Sequence, residues 1–397
     1  MSSRPTLSPT RAAWLVAAAC LACASPAVLA QNPSHTDATV NVPTADPIEA
    51  LPLEAGLDAA AAPVVTVPMT AWGGTNYNDK GPFQLFVAEY RVLFEVSGGV
   101  SAQNRAGYLF GRNYEGANVS VNYRLAGVDA QVMQRITDAA WADFQSRLAQ
   151  AGVQLLPRAT GAEAAGGLTG WVPASQPGAP METTLGGDGS RRFHVYAPTG
   201  MQVYKRGLTG MAGMLGMSER IRMFEQRVDG LVVTHVIQIA DVESSGNRSS
   251  ILSREASVSY APALSLGANA AAEQTLASML GTVRAHHPKA PVPLEGRYAR
   301  VVVEESFDTD KHAATAALNV VSRLAGFGGV NSKSTKVAFE ADPGRFARAA
   351  LGGLLGANRA SVDALLRPVE PATAAAAAVS ERAAEGAAPT GGSQTGM

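Results

Sequence analysis

Residues 87–158 constrain the fold most, because the spacing of their apolar residues changes from one period to another. Apolar and polar residues alternate over 90–96 and again over 119–125, a period of two that is typical of β-strands with one buried face. Both stretches are short enough for strands of ordinary length. The sequence therefore predicts two strands joined as a β-hairpin.

A helix is expected directly after this hairpin. From Met133 to Ala151 the apolar residues recur at spacings of three and four, which places them on one helical face. Asp129 is suited to cap the first turn, and Gly152 is suited to end the last one. A short strand over 153–157 then closes at a proline. We expect a crossover helix that packs on a sheet.

The second half of the chain alternates strands with helices in the same way. The predicted strands are 193–197, 231–242, 256–266, 298–307 and an edge strand at 335–341, and the predicted helices are 214–228, 311–326 and 343–366. A chain of 397 residues with 46% hydrophobic residues can bury a core of ordinary size. We predict an α/β fold, with a mixed β-sheet of about seven strands and about four helices packed mainly on one face.

The first 30 residues have the composition of a signal peptide. Arg4 and Arg11 form a basic start, residues 12–24 are apolar but too short to span a bilayer, and 28–30 offer a cleavage site. We therefore expect export to the periplasm, in soluble or outer-membrane-associated form.

The chain has two cysteines, Cys20 and Cys23, and both lie within this signal. Cleavage after Ala30 would leave a mature chain without thiols. The alternative is lipidation at Cys23, which alone would associate the protein with the membrane. Losing two arginines from the 32 Lys+Arg leaves 30 against 33 Asp+Glu, a net charge of −3. This mild acidity excludes nucleic acid as an expected partner.

Composition also divides the mature chain. Residues 31–68 are rich in Ala, Pro and Thr, and 369–397 are rich in Ala and Gly. Such segments bury too little apolar surface to offset their chain entropy, so we predict a disordered linker and a disordered tail. Between them, 69–368 is expected to form a single globular domain.

Aromatic residues among glycines mark a candidate binding surface. Residues 97–117 are expected to form a loop between the first two strands, and it contains Tyr108, Phe110 and Tyr114. Exposed, these rings would offer a contact surface for a partner; alternatively they fold back onto the sheet.

Methionines suggest a metal site as an alternative function. Met211, Met214 and Met217 follow one another at intervals of three, and thioether sulfur is a ligand that favours Cu(I). Methionine also fills irregular apolar gaps, and this is the competing interpretation.

The remaining polar candidates favour structural roles. His235 lies in an inward-facing row of a strand, where a hydrogen-bonded core histidine is expected. His286 and His287 precede a proline and are interpreted as a solvated pair. Glu304, Glu305, Asp308 and Asp310 lack the glycine and distal glutamate of a calcium loop, so a solvated acidic turn is favoured.

The sequence lacks G-x-S-x-G, H-E-x-x-H, Walker and strand-linked G-x-G-x-x-G motifs. We predict no cofactor. The favoured interpretation is a non-enzymatic envelope protein that acts through contacts with an envelope partner or with a second copy. An exported enzyme of unrecognised type is the other alternative.

One resemblance supports an envelope role. A helix containing Thr137-Asp138 ends in Phe144-x-x-x-Leu148-x-x-x-Gly152, precedes a short strand, and is followed later by the apolar run at 231–240. This order resembles the envelope α/β domains of the curli secretion channel and of the TolB amino-terminal type. The resemblance implies an α/β fold and an envelope location. It does not imply a pore, because paired membrane-spanning hairpins are not recognisable in this sequence.

Overall fold

A computed structural model of the protein describes residues 37–41, 46–63, 65–72, 84–104, 107–109, 112–114, 116–168, 180–185, 190–204, 217–245, 255–267, 271–275, 283–308 and 330–366. Within these residues there are fifteen strands: β1 (Asp37–Asn41), β2 (Met69–Trp72), β3 (Gln84–Asn104), β4 (Gly107–Leu109), β5 (Arg112–Tyr114), β6 (Gly116–Ala126), β7 (Met181–Leu185), β8 (Arg191–Tyr196), β9 (Val228–Ser245), β10 (Glu255–Leu266), β11 (Ala271–Thr275), β12 (Val283–Pro288), β13 (Val292–Pro293), β14 (Ala299–Asp308) and β15 (Val330–Ala341). The same residues contain five α-helices: α1 (Leu53–Gly56), α2 (Ala130–Gln150), α3 (Arg158–Ala164), α4 (Met217–Glu225) and α5 (Pro343–Leu366).

Strand β3 organises the sheet. Thirteen strands form one mixed sheet whose main path runs β14-β15-β6-β3-β9-β11-β12-β2, while β4 and β5 form a separate pair. The first half of β3 pairs in parallel with β9, its middle pairs with β8, and its last third pairs with β6. Every residue from Leu85 to Glu95 is buried, so this part of the strand is covered on both faces, as a central strand is.

The sheet curls over itself. Strand β10 continues antiparallel from β9, carries β1 in parallel, and lies over β3 and β6, while β1 lies over β6 and β15. Aromatic rings fill the space between the two layers: Phe339 stacks on Tyr123 at 5.5 Å and on Tyr260 at 6.4 Å between ring centroids. The inner face of the curl thereby becomes one part of the main core.

The helices lie on both faces of the sheet. Helices α2 and α5 pack against each other and contribute to the main core. Asp129 caps the start of helix α2, because its Oδ1 accepts a hydrogen bond from the Val132 amide at 2.9 Å. On the opposite face, α3 and α4 cover a second apolar cluster that includes Phe86 and Val232. The larger helices therefore share one face, and two short ones cover the other.

Helix α5 contacts the segment 46–72, here called the N-terminal segment. A Cβ placed on Gly344 would lie 2.0 Å from the Leu51 carbonyl oxygen, and one on Gly356 would lie 2.3 Å from that of Val65. The Asp342 carboxylate also accepts a hydrogen bond from the Leu51 amide at 3.2 Å. The small residues of α5 thus let the backbone of the N-terminal segment lie directly on the helix. No described helix is long and apolar enough to cross a membrane.

The predictions of individual helices and strands agree with the structure better than the predictions of how the strands pair. The hairpin is confirmed as β3 with β6, and the predicted helices appear as α2, α4 and α5. The strand count was too low. Strand β15 is not an edge strand, because it lies between β14 and β6, to which it is parallel. The stretch at 153–157 forms only one bridge, between Leu85 and Leu155.

Two segments predicted to be irregular contain regular structure. The predicted linker 31–68 contains β1, which pairs with β10, and helix α1. The predicted loop 97–117 is largely the two arms of the hairpin, with β4 and β5 at its tip. The signal peptide, the predicted helix at 311–326 and the tail at 369–397 lie outside the described residues.

We expect Gly356→Ala to lower the free energy of unfolding by about 1–3 kcal/mol, because the new methyl group would collide with backbone that is itself packed. In a helix without such a neighbour, the same change would stabilise by about 1 kcal/mol. Urea unfolding followed by circular dichroism measures the difference.

Gly353→Ala is the matched control for this substitution. It lies three residues earlier in the same helix, and its nearest neighbour is the flexible side chain of Leu294, at 2.6 Å from the added Cβ. This side chain can move, so the cost should be smaller. Equal effects of the two substitutions would contradict close packing of the N-terminal segment on α5.

Candidate functional site

The structure places two of the three predicted surface residues at the tip of the hairpin. Tyr108 lies in β4 and Tyr114 in β5, two strands that pair with each other, while Phe110 lies outside the described residues. Only the backbone of Tyr108 and Tyr114 is described. Their role as a binding surface stays a prediction.

The methionine site also stays a prediction. Met211 and Met214 lie outside the described residues, and Met217 is the first residue of α4. Within the described residues, no group of three or more His, Cys, Asp or Glu side chains is arranged to hold a metal ion.

His235 lies in a sealed hydrogen-bond network between β9, α2 and α5. Its Nε2 lies 3.1 Å from Asn358 Oδ1, and the Tyr90 hydroxyl donates to the same oxygen at 3.0 Å. Asn358 Nδ2 in turn donates to the Ala140 carbonyl at 2.7 Å and to Asp143 Oδ2 at 3.1 Å. Because the shared oxygen only accepts, Nε2 of His235 carries the proton.

Burial keeps this histidine neutral. His235 is 1% exposed, and its ring stands edge-on to Tyr90 at 5.4 Å. Desolvation lowers the His235 pKa to about 4, although the bond to Asn358 opposes the shift. The predicted hydrogen-bonded core histidine is confirmed, and the side chain does not open onto a cleft.

Glu95 is a buried carboxylate that the sequence pattern did not single out. It is fully buried and accepts hydrogen bonds from the Tyr123 hydroxyl at 2.7 Å and from the Ile239 amide at 3.0 Å. Desolvation raises the Glu95 pKa, while these bonds and the Arg191 guanidinium, 3.8 Å away, favour the charged form. The carboxylate thereby links β3 to β6. It also links β3 to β9, close to the point where β9 turns away from β3.

A buried ion pair lies on the face of β3 opposite to Tyr90. Arg91 Nη1 donates to Glu89 Oε2 at 3.0 Å, and Arg91 Nε donates to Thr234 Oγ1 at 2.9 Å. The other Glu89 oxygen accepts from the Tyr204 amide at 3.2 Å. Both charged residues are 1% exposed, and burial raises the Glu89 pKa despite the adjacent guanidinium.

These networks use the buried ionisable groups to join elements of the fold. Each group is bonded to neighbouring strands, helices or backbone amides, and each is closed to solvent. The role of these groups is therefore structural. Their hydrogen bonds pair polar groups that would otherwise stay unpaired in a strand buried on both faces. The signal that sequence reasoning missed was three charged residues within a stretch destined for the centre of the sheet.

A cavity lies between α5, the N-terminal segment and β12. Its volume is about 380 Å³, and its lining residues are Val65, Thr66, Val67, Pro68, Met69, Thr70, His286, Gly356, Arg359, Ala360, Asp363 and Ala364. The predicted solvated pair is wrong for His286, which lies in β12 and is 1% exposed. Adjacent residues of a strand point to opposite faces, so His286 faces inward while His287 is half-buried.

A broad polar face lies on the outside of the hairpin. We call the four neighbouring strands β3 (residues 97–104), β6, β15 and β14 the ribbon; its inner face is covered by β1 and β10. On the outer face, cross-strand register aligns Ser101 with Ser120, and Ser120 with Ser334. Gln103 and Asn122 on this face are exposed.

Charges on the outer face are already paired. Arg124 bonds Glu304, Lys336 Nζ lies 2.6 Å from Glu305 Oε2, and Arg300 Nε donates to Glu340 Oε2 at 2.7 Å. Three members of the predicted acidic turn, Glu304, Glu305 and Asp308, lie in strand β14. Glu304 and Glu305 are neutralised across strands. Asp310 lies outside the described residues.

Comparison with known proteins finds no match: no family model matches the chain, no curated protein matches its sequence, and no solved structure matches its fold. The resemblance to curli-channel and TolB-type domains is thus untested and stays a prediction.

We expect protonation of His235 to destabilise the fold at low pH. An unfolded histidine has a pKa of about 6.5, above the folded value, so protons favour the unfolded chain. The contribution of neutral His235 to the free energy of unfolding is complete above about pH 6.5. It is lost as the pH falls towards 4, and the total loss is about 3 kcal/mol.

His235→Gln provides the comparison, since its amide can donate to Asn358 but does not titrate. Urea unfolding of both proteins between pH 4 and 7 should show the wild type losing stability relative to the variant. Glu89 and Glu95 titrate in both proteins and cancel from the difference. Parallel pH profiles would show that His235 is not buried as described.

Proposed function

We propose that this is an exported cell-envelope protein that acts through protein–protein contacts, and that the outer face of the ribbon and the hairpin tip form its contact surface. The partner is another envelope protein or a second copy of this chain. The observation that carries the proposal is a wide, exposed, polar sheet face whose charged side chains are paired with one another within the chain.

The chemistry of this face suits a protein partner. Away from its ion pairs, this face carries exposed hydroxyl and amide side chains, which donate and accept hydrogen bonds without the desolvation cost of charges. The charged residues at one end are paired within the chain, so they present no excess of either sign to a partner. Beyond Asn104 and Gly116, the paired strands β4 and β5 contain Tyr108 and Tyr114, and aromatic residues are a type enriched at interfaces.

Export is supported by the sequence of the first 30 residues. The basic start, apolar stretch and cleavage pattern agree with one another. Mass spectrometry of the protein recovered from the envelope fraction tests this part: a chain that begins at Gln31 is expected, whereas a diacylated Cys23 would identify an anchored lipoprotein and retention in the cytoplasm would contradict export.

The surface is tested by placing arginine in its middle. A photo-crosslinking residue at Gln103, in the exported full-length protein, should form an adduct with the partner. Ser101→Arg with Asn122→Arg should abolish this adduct, because two unpaired charges would be buried in the contact. Denaturing electrophoresis with a differently tagged second copy identifies the adduct as self or partner.

Gln145→Arg with Ala149→Arg is the matched control. Both residues are exposed on α2, away from the ribbon, and the pair adds the same charge. The adduct should persist in this variant. Crosslinking from Gln103 no stronger than from exposed Glu163, or equal loss in both arginine variants, would overturn the proposed surface.

A further inference from the structure

We propose that the cavity between α5, the N-terminal segment and β12 binds a small zwitterion of dipeptide size, one that carries a carboxylate and an ammonium group. This inference is independent of the contact surface proposed above. It is argued from the walls of the cavity, the charges at its mouth and its size.

Small residues of α5 form one wall. Gly356, Ala360 and Ala364 recur at intervals of four and line the cavity together, as residues on one helical face do. The opposite wall is the backbone and side chains of 65–70, held on the helix by close contact at Gly356. Short side chains on one side and a closely held backbone on the other leave an open space of about 380 Å³.

Two opposite charges line this space without bonding each other. Arg359 and Asp363 are one helical turn apart and exposed, yet within the described part of the chain neither makes a hydrogen bond or an ion pair. On α2, by contrast, Asp143 and Arg147 have the same spacing and pair at 2.8 Å. On α2 the acid, Asp143, precedes the base, whereas on α5 the acid, Asp363, follows the base. An acid that follows its base forms a weaker ion pair in a helix.

The inner wall supplies groups that can bind the middle of a ligand. The buried His286 imidazole and the Thr66 and Thr70 hydroxyls all line the cavity. Imidazole and hydroxyl groups both donate and accept hydrogen bonds, as a peptide group requires. Arg359 would then hold the carboxylate, and Asp363 the ammonium group.

The dimensions suit a dipeptide. Side chains one turn apart on a helix have Cβ atoms about 5–6 Å apart, and two extended residues span about 7 Å at most. A cavity of about 380 Å³ is at the smaller end of the range for small-molecule sites, roughly 300–1,000 Å³. Larger peptides would have to extend past the mouth.

Isothermal titration of the mature protein with L-alanyl-L-alanine tests the inference. Binding is expected, and N-acetyl-alanyl-alanine and alanyl-alanine amide, which each lack one charge, should bind at least roughly tenfold more weakly. Arg359→Gln should weaken the dipeptide by a similar factor. Asp363→Asn should also weaken it, and should remove the preference over the acetylated probe.

Arg192→Gln and Asp241→Asn are charge-matched controls. Both residues are exposed and do not line the cavity, so both variants should bind like the wild type. Circular dichroism confirms that each variant is folded. Absence of dipeptide binding at millimolar concentration, equal binding of the capped probes, or binding unchanged by Arg359→Gln would each overturn the site.

Discussion

The structure depends on one constraint: its central strand is buried on both faces and nevertheless carries charged side chains. Glu89, Arg91 and Glu95 all lie within β3 and are at most 1% exposed. Leaving a buried charge without partners costs several kcal/mol, so the neighbours of β3 must supply them. Thr234 of β9, the Tyr204 amide and the Ile239 amide do so, and this requirement helps to fix where those elements lie.

The same constraint separates the inside of the protein from its surfaces. The ionisable groups of the interior are bonded to one another and to backbone, so the groups left to interact with other molecules lie elsewhere. Among the described residues, the two places that we propose for binding are the outer face of the ribbon, whose polar side chains face solvent, and the cavity beside α5. That cavity exists because the N-terminal segment docks on small residues of the helix, so its shape depends on a part of the chain that lies far away in sequence.

Sequence patterns predicted the elements that are determined locally. The period of two around Tyr90 and Val121, and the helical period of α2, each depend on residues close together in the chain. Helix α5 was predicted with the bounds it has, 343–366, because a proline begins it and apolar residues continue at helical spacing.

Non-local features could not be read in the same way. The parallel insertion of β15 beside β6 joins residues about two hundred positions apart, and the burial of Glu95 depends on Tyr123 and Ile239 from other strands. Residues 46–63 have the composition of a linker, yet they are ordered by the close approach that Gly344 and Gly352 of α5 permit. Of the candidate site, the sequence showed His235 as a core residue, whereas the cavity at Arg359 and Asp363 is created by tertiary contacts.

A double-mutant cycle on Glu89 and Arg91 tests the central claim most directly. If the pair joins β3 to the elements packed on its face, Arg91→Met alone should lower the free energy of unfolding by about 3–5 kcal/mol, because Glu89 is left buried without its cation. Adding Glu89→Gln should restore part of this loss, so the two effects should not be additive. Urea unfolding of the four proteins gives the coupling energy. A near-neutral Arg91→Met, or strictly additive effects, would contradict the account.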